Sequence, residues 1–257
     1  MKRLWLNIVI AWLCGGIGVG FDAFGCEIKF RVQTYPPFSM ENSQGQWHGL
    51  DIDYADALVQ QSGCTLVPVK APWGRGLELL KKGDIDLMVN VTKNPERAQH
   101  YYFFGPQRIE RIRLFGIKGA SQSIDSWDKL ANSKLTYMRQ IGAYFGERFE
   151  NLMTKKGGGF QGKLIELPDN QIRMQLLQRR RVAGFFTEEL YADYTRLGME
   201  NPSLLHKHPL VIHQQPVYYA FSKASISKAQ IAKIRLAYQA LAASNKLNQL
   251  SDKYRLQ

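Results

Sequence analysis

The chain has 257 residues, 45% of them apolar and 22% charged, with a formal charge of +12. These proportions exclude a disordered chain and allow one large domain or two small ones with ample core. The positive charges are scattered and rarely interleaved with aromatic residues, "QRRRV" at 178–182 being the densest cluster, so a nucleic-acid partner is not expected.

Residues 1–25 read as a secretory signal peptide. Lys2 and Arg3 form its positive start, "LWLNIVIAWL" (4–13) its apolar stretch, and "AFG" (23–25) a small-x-small cleavage site ending at Gly25. Ten apolar residues are too few for a comfortable membrane span. The mature chain is therefore expected to begin at Cys26, in the periplasm. Cys14 leaves with the signal, and Cys26 and Cys64 remain. Each opens a strand-like run, "CEIKFRVQ" and "CTLVPV", with one helix between them. A strand–helix–strand unit lays such strands side by side, which brings their first residues within disulfide reach in an oxidising compartment. Lipidation of Cys26 is the rival reading and needs the same thiol. "AFG" lacks the leucine usual at the third position before a lipidated cysteine, which favours the disulfide.

Period-two alternation puts Cys26, Ile28, Phe30 and Val32 on one side of a strand and the charged residues on the other. "TYPPFS" (34–39) breaks it, because two prolines cannot continue a ladder. "LDIDYADALVQQSG" (50–63) has helical spacing, "TLVPV" is a second strand, and "RGLELLKKG" (75–83) is a helix stopped by Gly83. "DIDLMVNV" (84–91) is the apolar run of a strand buried on both faces. Strand-like "RIRLFGIK" (111–118) follows. A second α/β alternation runs through "KLTYMRQIG" (134–142), "KLIEL" (163–167), "NQIRMQLLQRR" (170–180) and "VAGFFT" (182–187). "QQPVYYAFSK" (214–223) returns as a strand, and an amphipathic helical region closes the chain. Two parallel α/β sets are expected.

Glycines offer a false lead, since "GGIGVG" (15–20) sits in the signal segment with no strand before it. The five histidines show no metal spacing on a shared helix, with His206 and His208 expected in a proline-flanked loop, and no serine sits in a nucleophile elbow. No metal or cofactor is expected. The stretch "LMVNVTKNPERAQ" (87–99) is more informative. Its strand ends near Val91, Asn94 suits an N-cap and Pro95 the first helical position. The amides of a helix start favour an anion, Arg97 adds a fork that pairs with a carboxylate, and Thr92 adds a hydroxyl. The carboxyl end of a parallel strand is also where open α/β sheets bind ligands.

"YPPF", "GQWHGLDIDYADAL", "APWGRGLELLKKGDIDLMVNVTKNPERAQHYYFFGP", "GAYFG", "RRRVAGFFTEE" and a final "DKY" occur in that order over nearly all of residues 26–257. In this the chain resembles the extracytoplasmic solute-binding proteins of family 3, the polar-amino-acid type. The resemblance implies a two-lobed, type II periplasmic-binding-protein fold of class α/β, each lobe a mostly parallel sheet flanked by helices, joined by a two-strand hinge. Lobe 1 would hold 26–115 and 214–257, and lobe 2 would hold 116–213. It further implies that Arg97 holds a ligand carboxylate, helped by Thr92 and Asn90, with Tyr35 and Trp73 as aromatic walls. In lobe 2, Glu188 stands where the family usually has an aspartate for the ligand ammonium, five residues past Ala183. Tyr144, in "GAYFG", replaces a small hydroxyl residue and would form a cleft wall.

The expectation is a non-enzymatic periplasmic monomer that captures an amino-acid-like solute for an inner-membrane permease of the ABC type. Two rivals stay open. One is an exported, cyclohexadienyl dehydratase-like enzyme of the same fold, needing a general acid or base such as Glu188. The other is a ligand-sensing component; the chain stops at Gln257 with no kinase, so its signal would pass through a partner.

Overall fold

Ile28, Phe30 and Val32 are buried along the first strand, β1 (Cys26–Val32), while Glu27 and Lys29 face outward, as the alternation requires. The computed structural model describes residues 26–119, 123–153, 158–168 and 170–254; the signal peptide expected at 1–25 lies outside them. After β1 come a small hairpin, β2 (Met40–Glu41) and β3 (Trp47–His48), then α1 (Leu50–Gln61), β4 (Cys64–Lys70), α2 (Trp73–Lys82), β5 (Leu87–Thr92), α3 (Pro95–His100) and β6 (Tyr101–Ile117). The second set comprises α4 (Trp127–Ala131), β7 (Thr136–Gln140), α5 (Glu147–Met153), β8 (Lys163–Leu167), α6 (Asn170–Gln178), β9 (Gly184–Glu188) and α7 (Glu189–Leu197). β10 (Leu205–Ser222), α8 (Lys228–Ala243) and α9 (Lys246–Lys253) complete the chain.

The fold is two-lobed α/β with a two-strand hinge. β4, β1 and β5 pair in parallel in one lobe, and β9, β7 and β8 in the other. Between them β6 and β10 form a long antiparallel ribbon, so that a continuous sheet runs β4-β1-β5-β10-β6-β9-β7-β8. The lobe boundaries expected at 115/116 and 213/214 cut through β6 and β10, which both lobes therefore share. The closing helices pack on α1: Lys253 pairs with Asp53 at 2.8 Å and Tyr54 donates to the Leu247 carbonyl.

Cys26 and Cys64 sit opposite one another at the start of β1 and β4 and form a disulfide, Cα to Cα 4.5 Å. That bond uses the thiol which lipidation of Cys26 would need.

Two strands are longer than the sequence pattern suggests, for one physical reason. Residues 101–110 carry Gly105 and Pro106, and 205–213 carry Pro209, all of which read as breaks. The structure absorbs them in pairing irregularities, where β10 shifts register against β6 between Val217 and Tyr219 and between Lys207 and Val211. Proline lacks the N–H a ladder needs and is tolerated in such bulges. His206 and His208 accordingly lie in strand β10 and not in a loop.

Candidate functional site

The "YPPF" turn packs directly on the start of α1. The amides of Leu50 and Asp51 donate to the carbonyls of Pro37 and Phe38, at 3.1 and 2.8 Å. Gly49 makes that approach possible: at φ 127° a Cβ there would lie 2.5 Å from the Phe38 oxygen. Tyr35 is thereby held at the mouth of lobe 1, stacked on Phe38 at 5.2 Å and on Tyr191 of α7 at 4.4 Å, its hydroxyl 3.3 Å from Thr187 Oγ1. Trp73 opens α2, under the Arg31 guanidinium at 5.3 Å.

β5 carries the next group. Two residues separate Met88 from Val91, whereas one residue separates their partners Ala220 and Tyr218, so β5 bulges at Asn90. Asn90 takes a left-handed φ of 61°, which asparagine tolerates better than most residues. The bulge turns its side chain to the cleft, where Oδ1 accepts from Arg108 Nη2 at 2.7 Å. Beyond it Asn94 caps α3 by accepting from the Arg97 amide at 2.8 Å, and Pro95 follows at the first helical position. The cap delivers Arg97 inward, 9% exposed. Its guanidinium donates to the Thr92 carbonyl at 2.8 Å and, across the cleft, to the Gly142 carbonyl at 2.9 Å. Trp73 Nε1 reaches the same Gly142 oxygen at 3.2 Å. Gly142 has φ 77°, the left-handed conformation that a glycine adopts without strain.

The ribbon supplies the floor. On β6, Arg108 and Glu110 share one face while Ile109 points to solvent. Arg108 Nη1 donates to Glu188 Oε1 at 3.0 Å, and its guanidinium lies 4.5 Å from the centre of the Phe38 ring. Glu110 accepts from Thr92 Oγ1 at 2.6 Å. From lobe 2, Glu188 ends β9 and caps α7 by accepting from the Tyr191 amide at 3.2 Å. Tyr144 lines the opposite wall edge-on to His213, and the buried Arg173 of α6 donates to the Phe186 carbonyl at 3.1 Å. The cleft so formed leaves a cavity of about 70 Å³ between the lobes.

Tyr35, Trp73, Asn90, Thr92, Arg97, Tyr144 and Glu188, the residues singled out in the sequence, all line this one cleft. Two of them are more engaged with protein than a ligand role alone requires: Tyr35 stacks on two rings, and Glu188 is already paired with Arg108. Five charged residues escaped the sequence reading: Arg31, Asp51, Arg108, Glu110 and Arg173. Arg31 was assigned to the outer face of β1 by alternation, yet at the end of that strand it borders the cleft and donates to the Ala71 carbonyl at 2.9 Å and to Gln33 Oε1. The signal for Arg108 and Glu110 was the i, i+2 polar spacing in "QRIE", legible only once 101–110 is known to be a strand.

Burial sets the electrostatics. It pushes the Glu110 carboxyl up to about 7, the Thr92 hydrogen bond and Arg108 only partly offsetting it. It pushes Asp51 up to about 6 against the pull of Arg108 and Arg31, and brings the Arg31 guanidinium down to about 10. Burial also lowers Arg97, with Tyr101 and Glu110 opposing. For Arg108 burial acts downward too, but Glu188, Asp51 and Glu110 outweigh it and hold the guanidinium above its usual range.

A carboxyl raised on folding binds its proton more tightly in the native state. Its burden on stability is thus absent below the ordinary value of 4.5, grows as pH rises through the window to about 7, and is complete above it. Glu110→Gln, which keeps an acceptor for Thr92, is therefore expected to be more stable than wild type at pH 8, by on the order of 3 kcal/mol at most. The gap should close at about pH 4. Urea unfolding of both proteins at the two pH values checks this, and an equal gap at both would contradict it.

A family model described as bacterial extracellular solute-binding proteins, family 3, matches residues 30–257. Over 162 residues the chain is 28% identical to the L-cystine-binding protein TcyJ of Escherichia coli, covering 62% of this chain and 57% of that protein. It thus spans little more than half the length of that relative. Over 195 residues it is 25% identical to the cyclohexadienyl dehydratase of Pseudomonas aeruginosa, covering 74% and 68% of the two chains. Among solved structures, an amino acid ABC transporter substrate-binding protein from Streptococcus pneumoniae, bound to L-arginine, matches with a TM-score of 0.72 at 21% identity. That match covers 89% of this chain and 94% of the other, and it speaks to the fold alone.

Proposed function

Because the chain belongs to the bacterial extracellular solute-binding proteins, family 3, we propose that it captures a small amino-acid-like carboxylate between its lobes and hands it to a membrane permease of the ABC type. The observation that carries this reading is Arg97. A buried guanidinium faces the cleft, held in plane by one carbonyl from each lobe, with N–H groups to spare for a carboxylate. Asn90, Thr92 and Tyr144 would complete the pocket beside it, Trp73 and Tyr35 its aromatic walls. Glu188 would meet a ligand ammonium in partnership with Arg108.

Capture and closure are coupled in this reading. Gly142 of lobe 2 already bridges to Arg97 and Trp73 of lobe 1, and Tyr35 to Thr187 and Tyr191, so the contacts that close the cleft and those that would grip a solute are adjacent. A solute touching both lobes then stabilises the closed form by its preference for it. The protein would act as a periplasmic monomer, exported by the segment at 1–25 and held together by the Cys26–Cys64 bond. Among the described residues no helix is long and apolar enough to cross a membrane. Calorimetric titration with the amino acids, cystine included, tests the reading; failure of every one to bind would refute it. Small-angle scattering provides a second check. The radius of gyration is expected to fall when a bound amino acid is present, and superimposable curves would argue against lobe closure.

One observation favours a second reading, a dehydratase acting on a cyclic amino-acid precursor: the match to cyclohexadienyl dehydratase covers 74% of this chain. Glu110, buried at the cleft floor with a proton held to about pH 7, would be its general acid, since Glu188 is tied to Arg108. Turnover of a cyclohexadienyl substrate followed by absorbance, and its loss in Glu110→Gln, would replace transport with catalysis. A sensory role differs only in the partner that reads the closed form.

A further inference from the structure

The lobes already touch on two sides of the cleft. On one side the Gly142 carbonyl receives both Arg97 and Trp73, at 2.9 and 3.2 Å. Two glycines beside it leave no room for a side chain between the lobes. A Cβ on Gly142 would lie 3.2 Å from the Gly74 Cα, and one on Gly74 2.9 Å from the Ile141 side chain. On the other side Tyr35 stacks on Tyr191 at 4.4 Å, and its hydroxyl is 3.3 Å from Thr187 Oγ1. What these contacts leave between the lobes is a cavity of about 70 Å³. One water molecule needs about 10–15 Å³ of such space, so about five to seven non-hydrogen atoms fit.

The aromatic walls offer little more. The ring of Tyr35 is stacked on Phe38 and Tyr191, and Trp73 lies under the Arg31 guanidinium. A larger groove of about 630 Å³ opens on the far side of Arg97, Ala143 and Tyr144, which line both spaces. It faces solvent, its Arg75, Glu78, Lys81 and Glu96 being exposed. Of the three shared residues, Arg97 is tied to two carbonyls and alanine is small. The ring of Tyr144, set edge-on to His213 at 6.1 Å, is therefore the bulk of the partition. Resting on the solute-capture reading, we infer that Tyr144 divides the gap between the lobes and limits the ligand to the smallest amino acids, of the size of glycine, alanine or serine. The ligand carboxylate lies at Arg97, and any side chain ends against the Tyr144 ring. A longer side chain has to displace that ring to reach the outer groove, or hold the lobes apart and break the Gly142 and Tyr35 contacts. Either lowers the ligand's preference for the closed form.

The test is calorimetric titration near neutral pH with glycine, alanine and serine against glutamate, histidine, arginine and cystine. At least one of the three small amino acids is expected to bind about tenfold or more tighter than any of the large ones. Tyr144→Ser, which joins the inner cavity to the outer groove, should bring at least one large amino acid to about the affinity of the small ones. Tyr144→Phe keeps the ring and should keep the preference for small over large, whatever it does to the affinities themselves. A large amino acid bound by the wild-type protein as tightly as the small ones overturns the inference and leaves solute capture standing. So does Tyr144→Ser weakening small and large amino acids alike. Binding of nothing in the panel or among the remaining amino acids overturns both.

Discussion

Arg97→Ala is expected to weaken binding of the amino-acid-like carboxylate that the wild-type protein takes by at least about a hundredfold, equivalent to about 2.7 kcal/mol. The magnitude follows from what the substitution removes. A buried guanidinium facing a carboxylate is a charge-assisted, two-pronged contact, and truncating one partner of such a pair costs about 2–5 kcal/mol because the other charge is left desolvated and unpaired. The fold should survive. Asn94 caps α3 through the backbone amide of residue 97, which alanine retains, and Trp73 keeps its own bond to the Gly142 carbonyl. Circular dichroism and the melting temperature of the variant without ligand should therefore stay close to wild type while titration loses its heat. Undiminished affinity in a folded variant would remove the carboxylate role of Arg97.

Reduction of the Cys26–Cys64 bond, or its replacement by serines, is expected to cost about 4 kcal/mol of stability. The two cysteines are 38 residues apart, and closing a loop of that length restricts the unfolded chain by about that amount on the chain-entropy estimate. The location adds to the effect. β4 is an edge strand whose sheet neighbour is β1, and the bond staples the first residues of both. Without it, fraying of the edge would begin where the mature chain is expected to begin. Urea unfolding with and without reductant measures the difference. A thiol count on the denatured, unreduced protein should find neither cysteine free.

Much of the fold was legible because its parallel strands announce themselves as short apolar runs between helical segments, as "DIDLMVNV" and "VAGFFT" do. The helix starts were legible for local reasons, Asn94 and Pro95 being side chains with one good use at that spot. The ribbon was not. Gly105, Pro106 and Pro209 signal breaks in a strand, and only the tertiary pairing of β6 with β10 turns those breaks into bulges within longer strands. The site divides in the same way. Arg97, Thr92 and Tyr35 sit at ends of elements, where open α/β sheets gather ligands. Arg31 lies in a strand whose alternation assigned it outward, Asp51 in a helix read only as such, and Arg108 and Glu110 in a stretch not read as a strand at all. Their surroundings come from distant residues, Ala71 for Arg31, Thr92 for Glu110 and, from the second lobe 80 positions away, Glu188 for Arg108.

Between the irregularities of β10 lies one regular stretch of ribbon, His213 to Val217 against Ile112 to Arg108. The same stretch bears Arg108, tied to Asn90 of lobe 1 and to Glu188 of lobe 2, and Glu110, tied to Thr92. In the capture cycle proposed above, the part that must flex as the lobes swing is also the part that carries the ions. Arg108 then works as a tie-rod across the joint, and any proton or acid group arriving beside it alters the torque between the halves. Chemistry and mechanics would share one axle, so a change of charge at the bottom of the gap would register as a change in how stiffly the jaws move.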